Sequence, residues 1–325
     1  MNQSPLRRRL LLGSAATVLA PALWAQTDWP TGRPTTWVVP YPPGGTTDIL
    51  GRSIAQRIGQ SLGATVVVEN KAGATGTIGG AFVAKAAPDG FTVLGTSIGP
   101  QAIAPHLIRK MQYDPFRSLE PVVLIGTIPH VLVVPASQAT SSVAGLVAAA
   151  RAKPLAFASG GSGTILQMQT ELLAQRTRVK FDHIPYKGDT PALQDTLGGQ
   201  VHFMFAPVAA ALPHVLSGKL KALAVTSGKR LKALPNVPTM VESGYKDFVA
   251  EQWQAVYLPA GTPTAVVRRL NAEINKALAD PALAEMADKL GVTLVGGTPQ
   301  HLDKVQKADS ATWAKVIRDG NIQAD

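Results

Sequence analysis

Short segments rich in β-branched residues alternate along the chain with longer segments in which apolar residues recur at helical spacing. This alternation predicts βαβ units around mainly parallel sheets, an α/β fold. A first series predicts strands at 37–40, 64–69 and 91–95 and helices at 47–61 and 77–86. A second series predicts strands at 122–125, 131–134, 155–158, 181–185, 201–205 and 220–226, with helices at 142–152, 166–175 and 191–197. The C-terminal third is predicted to be mostly helical, with helices at 263–279, 281–290 and 299–318.

Two successive series of strands and helices predict two lobes. Apolar segments at 125–134 and 220–227 lie where the chain would cross from one lobe to the other and return, so two crossing strands would join the lobes. This division assigns 26–128 plus 229–325 to lobe 1 and 129–228 to lobe 2. A cleft between two lobes is the default position for a small ligand.

The first 25 residues have the layout of an export signal. Three arginines, Arg7 to Arg9, precede an apolar stretch at 10–22 that is too short to span a bilayer, and small residues follow it. Cleavage after Ala25 would give a mature chain from residue 26, and Ala22 offers a second cleavage point. The Arg7-Arg8 pair also resembles a twin-arginine signal. We therefore expect export to the periplasm, by either route.

Composition and charge exclude several functional classes. The 325 residues include no cysteine, which excludes disulfides, thiolate nucleophiles and cysteine-ligated metals. The formal charge is +10, but three of these charges belong to the predicted signal, and the remaining basic residues are scattered and lack interleaved aromatics. We therefore expect no nucleic-acid binding. The six histidines form no metal-binding motif, no dinucleotide or phosphate-loop pattern occurs, and neither metal nor cofactor is expected.

Two glycine-rich loops, one in each predicted lobe, carry the strongest functional signal. The segment 41–48 (YPPGGTTD) and the segment 159–164 (SGGSGT) each follow a predicted strand and precede a predicted helix. Glycine lets the backbone approach a ligand closely, and the first N–H groups of a helix attract anions. Thr46 or Thr47 is predicted to cap the first helix, and Asp48 fits a stabilising first-turn acid. The pair of loops predicts a clamp for a small anion.

Two other functions remain open at this stage. The second loop nearly matches the Gly-x-Ser-x-Gly pattern of serine hydrolases around Ser162, but Thr164 stands at the last position and no Asp and His partners are marked out. An exported serine hydrolase using Ser162 is one alternative. A ligand-sensing adaptor for a membrane signalling partner is the other.

Motifs spread in order along the chain resemble those of the Bug-type periplasmic solute-binding receptors of tripartite tricarboxylate transporters. The segments that carry the resemblance lie at 40–48, 66–74, 84–92, 113–115, 185–188, 197–201, 218–226 and 259–263. The resemblance implies a two-lobed, type II periplasmic-binding-protein-like fold. It also implies a monomeric receptor, not an enzyme, that takes a small organic carboxylate to the membrane subunits of a transporter.

The resemblance further implies which residues contact the ligand. They come from loops of both lobes: Tyr41, Gly44, Gly45, Thr46, Asp48, Thr77, Thr96, Ser97, Ser159, Gly161, Ser162, Thr164, Tyr186, Lys187 and Ala206. The chain departs from many members in having Gln167 in place of His and Ala206 in place of Asp. Without an Asp at 206 to pair with an amino group, an amino-acid ligand is less expected than an aliphatic or aromatic carboxylate.

Overall fold

The computed structural model describes residues 29–323, and the predicted signal at 1–25 lies outside this range. Eleven strands are found among the described residues. They are β1 (Thr35–Val39), β2 (Val66–Asn70), β3 (Thr92–Ser97), β4 (Leu119–Ile128), β5 (His130–Pro135), β6 (Leu155–Ser159), β7 (Phe181–Pro185), β8 (Phe203–Pro207), β9 (Leu220–Val225), β10 (Gln252–Pro259) and β11 (Thr293–Leu294).

Ten α-helices connect and cover these strands in the described range. They are α1 (Thr46–Leu62), α2 (Thr77–Ala84), α3 (Ala104–Leu107), α4 (Val143–Ala152), α5 (Ile165–Thr177), α6 (Asp189–Leu197), α7 (Val208–Leu216), α8 (Thr264–Leu278), α9 (Pro281–Lys289) and α10 (Pro299–Asp319). A 3-10 turn at Ala74–Gly76 and a π-helical turn at Gly99–Ile103 precede α2 and α3.

The strands form two separate sheets, as a two-lobed α/β fold requires. The first has the order β11-β4-β10-β3-β1-β2 and the second the order β7-β6-β8-β5-β9. In the first sheet β2, β1 and β3 run parallel, and in the second β7, β6 and β8 do. The remaining pairings are antiparallel, so each sheet is mixed.

The sequence pattern missed one central element. The strand β10 lies between β3 and β4 in the first sheet, just before the predicted C-terminal helices, where no strand was predicted. Its sequence, QWQAVYLP, contains two glutamines, and every residue after the first is buried. The segment therefore lacks the continuous apolar run expected of a central strand.

The chain passes between the sheets at two adjacent places. Only Pro129 separates β4 from β5, and the chain returns after β9 toward β10. At this crossing Thr226 N–H donates to the His130 carbonyl oxygen at 2.9 Å, and His130 N–H donates to Thr226 Oγ1 at 2.9 Å. Ala250 N–H in turn donates to the Thr226 carbonyl oxygen at 3.1 Å. The two crossing segments are thus hydrogen-bonded to each other.

The C-terminal helices pack on the first sheet. In α8 the buried residues Val266, Val267, Leu270 and Ile274 recur at helical spacing and join an apolar cluster with Leu50 of α1. The longest helix, α10, also touches the second lobe, where Gln175 Nε2 donates to the Val316 carbonyl oxygen at 2.7 Å. Between residues 29 and 323, no helix is long and apolar enough to cross a membrane.

Candidate ligand-binding cleft

A cavity of about 550 Å³ lies where the two sheets present their glycine-rich loops to each other. Its volume is within the usual range for a small-molecule site, roughly 300–1,000 Å³. The first sheet contributes residues that follow β1 and β3, and the second sheet contributes residues that follow β6 and β7. The lining residues are Tyr41, Pro42, Pro43, Gly45, Thr46, Thr47, Thr75, Ser97, Ile98, Gly99, Gly163, Thr164, Ile165, Leu166, Gly188, Asp189 and Gln252.

The first loop presents the start of α1 to the cavity. Gly45 is the N-cap residue in an extended conformation, with φ −77° and ψ 166°, and no side chain caps the helix. The expectation that Thr46 or Thr47 caps it is wrong, because the helix begins one residue earlier and Thr47 Oγ1 donates to Gln254 Oε1 at 2.8 Å. The first N–H groups of an uncapped helix are available to an anionic ligand.

Asp48 holds this loop from behind and does not line the cavity. Its buried carboxylate accepts hydrogen bonds from Gly44 N–H at 2.9 Å, from Asn70 Nδ2 at 2.8 Å and from Arg52 Nε at 3.0 Å. Asn70 Nδ2 also donates to the Tyr41 carbonyl oxygen at 3.0 Å. Burial alone would raise the pKa of Asp48, but the bonds from Arg52, Gly44 and Asn70 outweigh it, and this pKa lies below its usual value.

Tyr41, the first residue of the first loop, is hydrogen-bonded to the end of β3. Its hydroxyl is 2.7 Å from Ser97 Oγ, and both residues line the cavity. Burial raises the pKa of Tyr41 to about 12, partly offset by the hydrogen bond with Ser97. The phenol is therefore neutral at physiological pH and able to donate a hydrogen bond.

The second loop is held by side chains that lie behind it. Ser159 is fully buried, and its Oγ accepts from Gly161 N–H at 3.2 Å and lies 2.6 Å from His183 Nε2. Gly163 N–H donates to Gln167 Oε1 at 2.8 Å. Gln167 thus fixes the loop.

The second helix start is also uncapped. Thr164 is the N-cap residue of α5, but its hydroxyl donates to the Gly161 carbonyl oxygen at 2.8 Å and no side chain caps the helix. Both loops therefore bring a helix start with unsatisfied N–H groups to one cavity. This arrangement suits a carboxylate held by neutral donors.

The structure brings together only some of the residues expected at the site. Tyr41, Gly45, Thr46, Ser97 and Thr164 line the cavity. Gly44, Asp48, Ser159 and Gly161 belong to its supporting layer, as the hydrogen bonds above indicate, and Thr96 is fully buried next to Ser97 in β3. Ser162 lines an adjoining cavity of about 580 Å³, which shares Thr75 and Gly163 with the first.

Four of the expected residues have other surroundings. Thr77 Oγ1 donates to the Ala74 carbonyl oxygen at 2.8 Å, and Tyr186 Oη donates to Asp195 Oδ2 at 2.7 Å. Lys187 is exposed, and Ala206 is fully buried in β8. None of these four lines the cavity.

Sequence reasoning missed several lining residues, of which Asp189 is the only charged one. It begins α6, directly after the loop that follows β7. That loop, like the two glycine-rich loops, joins the carboxyl end of a parallel strand to a helix and contains a glycine. The same strand–glycine–helix rule applied to 185–189 would have found it.

The described residues contain no group of three or more His, Asp or Glu side chains placed to hold a metal ion. The same residues form a cleft whose polar groups can bind a ligand. Its donors are backbone N–H groups, hydroxyls and amides, and no lysine or arginine lines the cavity.

Comparison with known proteins agrees with this arrangement. Residues 50–322 match the model of the tripartite tricarboxylate transporter family receptor. The chain is 40% identical over 290 residues to protein BugT of Bordetella pertussis, covering 88% of this chain and 89% of BugT. Among solved structures, Rpa4515 of R. palustris with adipate is 35% identical, with a TM-score of 0.78 over 92% of this chain and 100% of the other. MatC of Rhodopseudomonas palustris with bound malate is 29% identical, with a TM-score of 0.75 over 87% of this chain and 99% of the other.

These similarities confirm the two-lobed periplasmic-binding-protein-like fold and a role in solute binding rather than in catalysis. They also exclude the alternative that this family consists of serine hydrolases. The chain belongs to the receptor family of the tripartite tricarboxylate transporters and is a receptor of the Bug type.

Proposed function

We propose that this receptor works in the periplasm, captures a small organic carboxylate between its two lobes and delivers it to the membrane subunits of a tripartite tricarboxylate transporter. The observation that carries the proposal is the pair of uncapped helix starts, at Gly45 and Thr164, that meet at one cavity. Neutral N–H and O–H donors at helix starts bind anions without a paired cation. The family relatives with adipate and malate support the carboxylate class.

We propose Tyr41, Gly45, Thr46, Ser97 and Thr164 as direct ligand contacts. The hydroxyls of Tyr41 and Ser97 lie at the end of β3, while Gly45 and Thr164 provide the two helix starts. We further propose that Gly44, Asp48, Thr96, Ser159 and Gly161 act by positioning these contacts.

We also propose that the segments 26–128 plus 229–325 and 129–228 move as two bodies about the crossing near His130. A ligand that contacts both bodies favours the closed arrangement, because only that arrangement satisfies both sets of contacts. Small-angle scattering of the monomeric receptor should show a smaller radius of gyration at saturating ligand. An unchanged radius would contradict closure.

The direct test uses the full chain, expressed with residues 1–25 in a Gram-negative host. N-terminal sequencing of the periplasmic protein tests export and the cleavage after Ala25. The purified receptor, unfolded and refolded to remove bound ligand, is then screened by thermal shift and calorimetry against malate, adipate, citrate and benzoate. A ligand at 100 times its Kd adds about 2.7 kcal/mol to the unfolding free energy. Stabilisation by a neutral sugar but by no carboxylate would overturn the proposal.

Delivery needs a separate experiment. Cells that contain the transporter membrane subunits and the receptor should take up the radiolabelled carboxylate, and cells that lack the receptor should not. Uptake that does not depend on the receptor would contradict delivery while leaving binding intact.

A further inference from the structure

The charge distribution in the cleft is unusual for a receptor of anions. The lining residues include no basic side chain, and the one formal charge, on Asp189, is negative. A ligand carboxylate bound at the helix starts therefore shares the cavity with a protein carboxylate. Two like charges a few ångströms apart repel strongly where protein surrounds them.

The backbone fixes Asp189 in this position. It follows Gly188, whose φ of +112° is left-handed and whose N–H donates to the Gly160 carbonyl oxygen at 3.1 Å. The bond ties the start of α6 to the second glycine-rich loop. A Cβ added to Gly160 would lie 2.1 Å from Asp189 Oδ1, so the carboxylate lies directly against the backbone of the second glycine-rich loop.

The Asp189 carboxylate has no protein partner among residues 29–323: no hydrogen bond or ion pair to it is found there. Its side chain is exposed to the solvent of the cavity. Partial desolvation by the surrounding loops raises the pKa of the carboxyl. Water can hydrate this carboxylate in the free receptor, so a ligand that displaces the water from it must supply a donor in its place.

We infer that Asp189 determines ligand specificity: the cleft selects a monocarboxylate that carries an ammonium or hydroxyl donor at its other end, and it discriminates against dicarboxylates. The ligand carboxylate binds at the helix starts and the donor group binds Asp189. This inference rests on the proposed carboxylate-receptor function. It differs from the expectation drawn from Ala206, because Asp189 supplies from α6 the acidic group that β8 lacks.

The adjoining cavity could favour the opposite class of ligand, the dicarboxylates. It is lined by apolar residues such as Leu107 and Ile108 and by Arg109, whose guanidinium would suit a second carboxylate. If the ligand extended past Thr75 toward Arg109, dicarboxylates would bind best and Asp189 would be irrelevant. The two arrangements predict opposite rankings of the same ligands.

The experiment measures the affinity of the refolded receptor for two series of compounds that differ only in one terminal group. The six-carbon series is 6-aminohexanoate, 6-hydroxyhexanoate, hexanoate and adipate, and the four-carbon series is the corresponding derivatives of butanoate with succinate. In the wild type, the amino and hydroxy acids should bind at least about tenfold more tightly than the dicarboxylate of equal length. Asp189→Asn should reduce this ratio at least about tenfold.

Controls separate specificity from folding and from net charge. Asp182→Asn removes the same charge from an exposed position in β7 and should leave the ratio unchanged. Asp189→Ser, which is smaller and also neutral, should behave as Asp189→Asn does, and thermal unfolding checks that each variant is folded.

Two results would overturn the inference, and they differ in whether the proposed function also fails. If dicarboxylates bind best and the ratio depends on Arg109→Gln but not on Asp189→Asn, the inference about Asp189 is wrong and the carboxylate receptor stands. If no compound of either series and none of the screened carboxylates binds the wild type or the variants, the proposed function fails together with it.

Discussion

The backbone N–H of Gly44 donates to the Asp48 carboxylate at 2.9 Å, across the turn that precedes the first helix start of the cleft. Asp48 is 3% exposed and is also bonded to Arg52 and Asn70. The acid in the first turn of α1 therefore determines the shape of the loop, and its effect on a ligand passes through that loop.

Removal of this carboxylate should weaken both folding and binding. In Asp48→Ala, Gly44 N–H and Asn70 lose a buried acceptor and Arg52 loses its ion pair, so the unfolding free energy should fall by about 1–3 kcal/mol. Affinity for the carboxylate should fall about tenfold, because Gly45 is no longer held at the cavity. Chemical denaturation and calorimetry measure the two effects.

The matched control is Asp303→Ala, which breaks an exposed i,i+4 pair with Lys307 at 2.7 Å. Such pairs contribute about 0.3–0.5 kcal/mol, so neither folding nor binding should change much. Unchanged affinity in folded Asp48→Ala would show that the loop keeps its shape without the acid.

Gly45 and Gly44 allow binding to be separated from folding. Gly45 has φ −77°, and a Cβ there would meet nothing within 4 Å. Because Gly45 lines the cavity, Gly45→Ala should reduce affinity by about tenfold or more at a stability cost below about 1 kcal/mol. Gly44 has φ +87°, so Gly44→Ala should cost about 1–2 kcal/mol of stability through backbone strain. Affinity losses that simply follow the stability losses of the two variants would contradict a direct contact at Gly45.

The sequence predicted the two lobes because apolar periodicity and strand–glycine–helix loops are local features. The strand predicted at 181–185 coincides with the observed β7. The antiparallel β10 was missed because two glutamines interrupt its apolar pattern, and one of them, Gln254, is fully buried and accepts a hydrogen bond from Thr47. That glutamine is buried by tertiary contact, which periodicity does not report.

The roles of the site residues were harder to predict than the site. Glycine-rich loops indicated where a ligand binds, but Asp48 and Ser159 turn inward to hold the loops. Asp189 lies in the cavity through its contact with Gly160, 29 positions earlier in the chain. Such pairings depend on how β6 and β7 align side by side in the sheet, and no local pattern encodes them.

His130 should make the crossing between the lobes sensitive to acid. Burial lowers the pKa of His130 to about 3, partly offset by a hydrogen bond from Gln169, whose Nε2 lies 2.7 Å from Nδ1 of the ring. In the unfolded chain this histidine has its usual pKa near 6.5. Between about pH 6.5 and 3 the imidazole is therefore protonated in the unfolded chain and neutral in the folded protein. Stability from this residue is therefore complete above about pH 6.5 and is lost as the pH falls toward 3.

Replacement by leucine removes this dependence. Between pH 6 and pH 4, the wild type should lose about 1.4 kcal/mol per pH unit more than His130→Leu, since one proton is taken up on unfolding. Urea denaturation at several pH values measures the difference. His301→Gln, at an exposed histidine, should retain the wild-type slope. Equal slopes for the wild type and His130→Leu would mean that His130 titrates in the folded protein as in the unfolded chain.

Asp309 should have the opposite effect to His130 on the pH dependence of stability. Burial raises the pKa of Asp309 to about 6, partly offset by the hydrogen bond that Trp253 Nε1 donates to Oδ2 at 2.7 Å. Because the ordinary pKa is near 3.9, the folded state holds this proton more tightly than the unfolded state does. Its stabilising effect is full below about pH 4 and is lost as the pH rises through 6. At neutral pH the ionised carboxylate is thus a net cost to folding.

Asp309→Asn removes that cost and keeps an oxygen to accept from Trp253. The unfolding free energy at pH 7 should rise by about 1–3 kcal/mol, and the gain should vanish at pH 4, where the wild-type carboxyl is protonated. Asp288→Asn, at an exposed position in α9, changes the net charge equally and should leave stability within about 0.5 kcal/mol. A gain of equal size at pH 4 and pH 7 would assign the effect to packing of the amide, since relief of a buried charge must disappear once the wild-type group is neutral.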